Sequence, residues 1–332
     1  MAHNHAAFLD GTGTTLRIGP SPMPKAGAGE LVIRNHAIAI NPIDGFQQAT
    51  GAYLESFPVV LGHDIAGEIY EVGSGVTKFQ KGDRVIAHCW GMITKQHEDA
   101  GFAEYSRVKA GVTALLPTNV SFTEGVAMPV AIGTAASALY DNLQLPLPSQ
   151  NATSTGKVLL VYGGSSSVGL TTTQLASAAG IRAVAIASER NHGLCKEMGA
   201  SQVLDQKDPD LVDKLVAAIG KKDDFVGIFD TISWDDTYAN DYKILEKFGS
   251  SRLLITHPVP ENVPAGVQAK MVFSLGGFAF PVWEQWVPKA LQSGALKCRP
   301  KPLVVGRGLE KIQDGINRHA KGVSAQKVVV EL

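Results

Sequence analysis

Val158-Leu159-Leu160-Val161-Tyr162-Gly163-Gly164-Ser165-Ser166-Ser167-Val168-Gly169 is the stretch whose reading decides the fold of this 332-residue chain. An apolar run of the kind buried on both faces ends in a glycine- and serine-rich turn, and residues 170–179 follow with helical character. Strand, turn and helix in that order leave backbone N–H groups unpaired at a helix N-terminus, where a dinucleotide pyrophosphate is readily held. The G-x-G-x-x-G spacing is absent. Gly163, Gly164 and Gly169 frame three serines instead, so the pyrophosphate reading depends on the sequence around it.

Downstream, strand and helix patterns alternate. Strands are expected at 181–187, 202–205, 225–230 and 252–256, with helices at 209–219 and 237–248 between them. Such alternation is the mark of a doubly wound parallel sheet, whose ligands sit beyond the C-terminal ends of the strands. That rule selects Thr231 after one strand and Thr256 and His257 after another as coenzyme-facing residues. Residues 273–278 are expected to form the last strand, with Gly277 beside the nicotinamide. The second strand ends in Ser188-Glu189-Arg190-Asn191. A carboxylate at this place binds the ribose diol of NAD, whereas hydroxyl and guanidinium groups accept the 2′-phosphate of NADP. Ser188 and Arg190 therefore point to NADPH, and Glu189 dissents.

Upstream the chain is β-rich. Residues 6–9 and 16–18 read as short strands around a turn, Pro20, Pro22 and Pro24 forbid regular structure, and residues 31–40 form a longer strand ended by Asn41-Pro42-Ile43-Asp44. Ser121-Phe122-Thr123-Glu124 is a capping box, and residues 129–139 continue as a helix rich in small side chains. Composition sets outer bounds. Apolar residues make up 45%, charged residues 18%, and the net charge is -1, so nothing draws the chain to nucleic acid or to an acidic membrane. Cys89, Cys195 and Cys298 form no C-x-x-C pair, which suits a reducing compartment. With no secretory pattern at the N-terminus and no run long enough to span a bilayer, a cytoplasmic protein is expected.

Several of these segments carry a resemblance. Pro58-Val59-Val60-Leu61-Gly62-His63-Asp64-Ile65-Ala66-Gly67, Val72-Gly73-Ser74-Gly75-Val76, Gly82-Asp83-Arg84-Val85 and Gly101-Phe102-Ala103-Glu104-Tyr105, followed by the glycine turn and an ending Lys321-Gly322…Lys327-Val328-Val329-Val330, resemble the medium-chain dehydrogenase/reductase superfamily. Within it the chain is similar to the zinc-free quinone oxidoreductase branch and to fungal trans-acting enoyl reductases. The resemblance implies an α/β protein in which a Rossmann doubly wound parallel sheet (126–279) is inserted into a GroES-like β-barrel domain (1–125 plus 280–332). It implies that Ser166 and Val168, with Ser165 and Ser167 beside them, meet the coenzyme phosphates, and that Asn191 belongs to the 2′-phosphate turn. It further implies that Thr134 lies near the carboxamide or the substrate carbonyl, that Tyr53 orients that carbonyl or supplies a proton, and that Asn41 and Asp44 bound the same pocket.

His63-Asp64 invites a zinc reading, but a catalytic zinc needs three protein ligands. Zinc-dependent relatives carry a cysteine three residues before the equivalent of Asp44, where this chain has Asn41, and residues 129–138 contain neither Cys nor His. No metal is expected, and His63 reads as a loop residue with a polar partner or a neighbour of the substrate. No Ser-His-Asp set or carboxylate pair supports hydrolysis. The expected activity is NADPH-dependent reduction of a C=C bond conjugated to a carbonyl, an enone or an enoyl group of a secondary-metabolite intermediate. A quinone reductase and a coenzyme-binding protein without turnover stand as alternatives. A small-molecule substrate is the implied partner, and a homodimer or docking to a synthase stays open.

Overall fold

The computed structural model describes residues 3–249, 252–274 and 279–332. They form two compact units, Met1–Val130 with Trp283–Leu332, and Ala131–Val282.

The first unit contains strands β1 (Asn4–Leu9), β2 (Arg17–Ser21), β3 (Glu30–Ala39), β4 (Val59–Val60), β5 (Asp64–Val72), β6 (Arg84–His88), β7 (Tyr105–Lys109) and β8 (Thr113–Leu115). The second contributes β9 (Val158–Tyr162), β10 (Arg182–Ile186), β11 (Gln202–Leu204), β12 (Phe225–Asp230), β13 (Arg252–Ile255) and β14 (Gln268–Met271), and the chain then returns to the first unit for β15 (Lys301–Arg307) and β16 (Gln326–Glu331). In the first unit β3 pairs with β5, β7 and β16, and the sheet runs β15-β16-β3-β5-β6-β8. Leu31, Ile33, Ile38, Ile65, Ile69 and Val328 point from it into one apolar core with Phe102 and Ile312. Fully burying such side chains contributes about 1.5–3 kcal/mol each. β16 closes the sheet beside β3 through Val329↔Ala39, which brings the last strand of the chain against residues near its start.

Pro20 does not exclude a strand. It lies within β2, which pairs only with β1 at the edge of a three-stranded sheet, where a missing N–H costs no ladder bond.

The second unit is a six-stranded sheet of order β11-β10-β9-β12-β13-β14, and every pair in it is parallel. From β9 the chain builds to one side through β10 and β11, then crosses to the other side through β12. The order therefore reverses between β9 and β12, a topological switch point. The sixth strand lies at Gln268–Met271, ahead of the predicted 273–278; Phe273 and Ser274 are outside any strand, and residues 275–278 with Gly277 lie outside the described residues. Its Gln-Ala-Lys-Met sequence is that of an exposed edge strand, so it carries none of the apolar density by which the buried strands are read. One helical run, Phe122–Asn142, has the length and hydropathy of a bilayer span, and 78% of its most apolar window is buried inside the protein, as in a core helix.

Candidate functional site

In the second unit, the ends of β9, β10 and β12 lie level. Tyr162 is in register with Ile186 on one side and Asp230 on the other, so the segments that follow emerge together at the C-terminal edge of the sheet. Gly163 turns the chain with φ +71°, and a Cβ there would lie 2.5 Å from the Ile232 side chain. The helix Ser167–Ala178 then starts, with Ser166 as its N-cap accepting the Gly169 N–H at 2.9 Å. Gly169 packs this helix onto the turn so closely that a Cβ would sit 2.3 Å from the Gly163 carbonyl oxygen. Close packing of that kind seats the helix N-terminus, a ready anion site, against the turn.

Side chains tie the neighbouring turns to this one. The Ser166 and Thr231 hydroxyls are 2.9 Å apart, Thr231 Oγ1 donates to the Tyr162 carbonyl at 2.8 Å, and Asn191 Nδ2 donates to Ser165 Oγ at 3.1 Å. Thr256 joins through Ser233, whose hydroxyl oxygen accepts the Thr256 N–H at 2.8 Å. Ser233 is held by Asp230, which takes the N–H groups of Ile232 and Ser233 on Oδ1 and the Thr237 hydroxyl on Oδ2. Asp241 is buried against Asp230, and burial followed by the charge of Asp230 pushes its carboxyl well above the usual carboxylate range. Ser188 is half-buried, and Glu189, Arg190 and His257 are exposed. The structure thus gathers Gly163, Gly164, Ser165, Ser166, Thr231, Asn191 and Thr256 into one bonded cluster. Thr134 is buried in the helix Pro129–Ala136.

The first unit carries a buried polar network built by strand pairing. Asp64 starts β5 opposite Ala39 and opposite His88 of β6, Asn41 follows β3, and Lys327 lies on the neighbouring β16. Asn41 Nδ2 donates to Asp64 Oδ2 at 2.8 Å, and its Oδ1 accepts from Lys327 Nζ at 2.6 Å. The amide orientation follows from chemistry, since an ammonium can only donate and a carboxylate can only accept. Lys327 also meets Asp64 Oδ2 at 2.9 Å, and Asp64 Oδ1 accepts the Val130 N–H at 2.6 Å. Asp44 Oδ2 accepts the Asn41 N–H at 2.7 Å at the start of the helix Pro42–Thr50, while its Oδ1 lies 2.9 Å from His63 Nδ1. Burial, followed by the neighbouring His63, pushes His88 down to about 3, so it stays neutral.

His63 also lines a cleft, the space between the helix Pro42–Thr50 and the segments after it. Gln47, Tyr53, Leu54, Leu61 and Met92 share its wall. Tyr53 stands there with φ +61°, a conformation rare for a bulky side chain, and Lys95 Nζ donates to its carbonyl at 2.8 Å. Asn41 and Asp44 do not reach this wall; Asp44 is fully buried and stands behind His63.

The donor set does not fit a zinc ion. Among the described residues no group of three or more His, Cys, Asp or Glu side chains could hold a metal. The carboxamide of Asn41 already accepts the ammonium of Lys327, a charge that would repel a divalent cation. His63 gives one ring nitrogen to Asp44. Two members of the network escape the sequence reading as functional residues. His63 reads there as a loop residue with a polar partner or a neighbour of the substrate. Lys327 lies 286 positions from Asn41, and only the β16–β3 pairing brings them together. The Lys-Val-Val-Val ending was the available signal.

Residues 27–118 match the alcohol dehydrogenase GroES-like domain family, and residues 167–287 match the zinc-binding dehydrogenase family. A dehydrogenase of Emericella nidulans, orsE, is 45% identical, with 100% of both chains covered. A trans-enoyl reductase of Aspergillus japonicus, himH, is 38% identical over 99% of this chain and 97% of its own. Among solved structures, an alcohol dehydrogenase superfamily protein of Novosphingobium aromaticivorans has the same fold, with a TM-score of 0.80 at 21% identity and 99% of each chain covered. With the switch-point turn on a parallel sheet in one unit and the β-rich GroES-like unit around it in sequence, the chain belongs to the medium-chain dehydrogenase/reductase superfamily.

Proposed function

We propose that this protein is a zinc-independent, NADPH-dependent reductase of a C=C bond conjugated to a carbonyl, an enone or enoyl group. The observation that carries the reading is the make-up of the cleft, which offers the hydrogen-bonding side chains of Tyr53 and His63 and, among the described residues, no group of three metal-donor side chains. A carbonyl activated without a Lewis acid needs such donors where its oxygen gains charge. The trans-enoyl reductase relative supports the same reaction class.

The coenzyme would be held by Gly163 to Gly169 at its diphosphate, by Thr231 and Thr256 along the strand ends, and by Ser188, Arg190 and Asn191 at the 2′-phosphate. Bound there, a reduced nicotinamide supplies hydride. The chain's own residues do the rest: serine hydroxyls and the helix N-terminus bind phosphate, and Tyr53 orients the substrate carbonyl. Arg190 is exposed, and a guanidinium suits the 2′-phosphate.

Stopped-flow loss of NADPH absorbance against a panel of enones, enoyl thioesters and quinones tests the reading. Turnover of the conjugated carbonyls is expected. Micromolar NADPH binding with no acceptor reduced would refute it, and turnover of quinones alone would shift it to a quinone reductase. Arg190→Ala is expected to weaken NADPH by about 10- to 100-fold, the value of a lost charged hydrogen bond, and NADH by less than about threefold. Equal losses would remove the 2′-phosphate assignment.

A further inference from the structure

We propose that His63, oriented by Asp44, is the catalytic acid that delivers the proton to the α-carbon of the substrate. The inference rests on the enone-reductase reading above and adds the identity of the proton donor.

Three observations carry it. First, the Asp44 carboxylate is fully buried and has both oxygens engaged, Oδ2 by the Asn41 N–H at 2.7 Å and Oδ1 by His63 Nδ1 at 2.9 Å. A carboxylate accepting at both oxygens requires Nδ1 to carry a hydrogen, which leaves Nε2 as the ring nitrogen for a ligand. Second, His63 lines the cleft and Asp44 does not, so the pair is arranged as a reacting group with an orienting group behind it. Third, Gln47 lines the same cleft, and its Oε1 is buried with no hydrogen-bond partner among the described residues. An acceptor left unpaired beside a cleft is a group that an ordered water or a polar ligand would satisfy.

The charged and titratable groups around the imidazole are consistent with this role. Asp44 faces it from the helix Pro42–Thr50, His88 from β6 with ring centroids 6.5 Å apart, and Glu55, Lys95 and His97 from the cleft wall. Asp64 follows it in sequence, with its charge matched by Lys327. Asp44 is the one of these bonded directly to the ring, and it fixes the ring's orientation.

The step balances. Hydride arriving at the β-carbon forms the new C–H bond, and the π electrons move to give an enolate whose oxygen is met by Tyr53. His63, which rests with its hydrogen on Nδ1, takes a solvent proton on Nε2 through the open cleft; the enolate takes that proton at its α-carbon, the C=O bond re-forms, and His63 returns to the neutral Nδ1–H form. Reduced nicotinamide dinucleotide is oxidised, the alkene is reduced, and one solvent proton is consumed.

His63→Asn keeps a donor facing Asp44 and removes Nε2. Reduction of an α-methyl enone in D2O is expected to give one α-epimer with the wild type. The variant is expected to lose about 10²- to 10⁴-fold in kcat. Its product should be scrambled at the α-carbon while hydride delivery at the β-carbon stays on one face. Asp44→Asn, a change in the positioning residue, should lower kcat and partly scramble the α-carbon. Nitrogen-15 NMR of the ligand-free protein should show the His63 Nδ1–H form in the wild type and its loss as the single tautomer in Asp44→Asn. Thermal melting and NADPH binding confirm that each variant is folded. A folded His63→Asn protein with near-wild-type kcat and one α-epimer would overturn the assignment of His63 alone. A wild type that reduces no enone would overturn the activity, and this proposal with it.

Discussion

Removing Lys327 tests whether the buried network in the first unit is held together by charge. Lys327 Nζ is 2.9 Å from Asp64 Oδ2, and the two side chains are 6% and 0% exposed. At that distance and an effective dielectric near 20 the attraction is about 6 kcal/mol, most of it offset by desolvating both ions. The pair as a whole therefore adds little, but taking one partner away leaves a buried carboxylate uncompensated and costs about 3–5 kcal/mol. Lys327→Met should lower the melting temperature by roughly 6–20 °C for a unit of this size. Adding Asp64→Asn should restore about 2 kcal/mol of the loss, because the charge that Lys327 matched has gone. Urea unfolding followed by tryptophan fluorescence reports on this unit, since Trp283 and Trp286 are buried in it while Trp234 is already 65% exposed. A loss below about 1 kcal/mol for Lys327→Met, or a double variant that loses the sum of the two single losses, would refute the reasoning.

Two further outcomes follow from other parts of the molecule. Gly169→Ala places a Cβ 2.3 Å from the Gly163 carbonyl oxygen and 2.9 Å from the Gly164 Cα, prising the helix from the turn; NADPH affinity by fluorescence titration should fall about 10- to 100-fold, as overpacking of this kind costs about 1–3 kcal/mol. His88 sits at about 3 when folded, against an ordinary value of 6.5. Between those values the unfolded chain binds a proton that the native protein refuses, so stability rises with pH, and His88 alone removes about 2 kcal/mol on going from pH 7 to pH 5. Comparing denaturation curves of the wild type and His88→Gln isolates this slope from that of other groups such as Asp241. Identical slopes would show that His88 titrates in the native state.

Much of the second unit was legible because its information is local. A buried parallel strand is apolar throughout, a tight turn needs glycine, and a helix start needs a cap, so residues 158–169 announce strand, turn and helix without reference to distant sequence. The hydroxyl cluster was legible by rule, since Thr231 and Thr256 follow strands and strand ends meet at one edge of a parallel sheet. The edge strand Gln268–Met271 was not, because a strand exposed on its outer side need not be apolar. Pro20 was misread for a related reason: a missing N–H matters only where a neighbour would have used it.

By itself the sequence determined the alternating pattern of the parallel-sheet unit, the position of its glycine turn, and the lack of cysteines at the two places named for a catalytic zinc. Each is a property of residue type over a short span. Tertiary structure alone decided the polar heart of the first unit. The β16–β3–β5–β6 pairing brings Lys327, Asn41, Asp64 and His88 together, and the fold of the helix Pro42–Thr50 sets Asp44 behind His63 instead of on the cleft wall. Strand register fixes such contacts between residues far apart in sequence, and no local pattern encodes which lysine will reach which carboxylate.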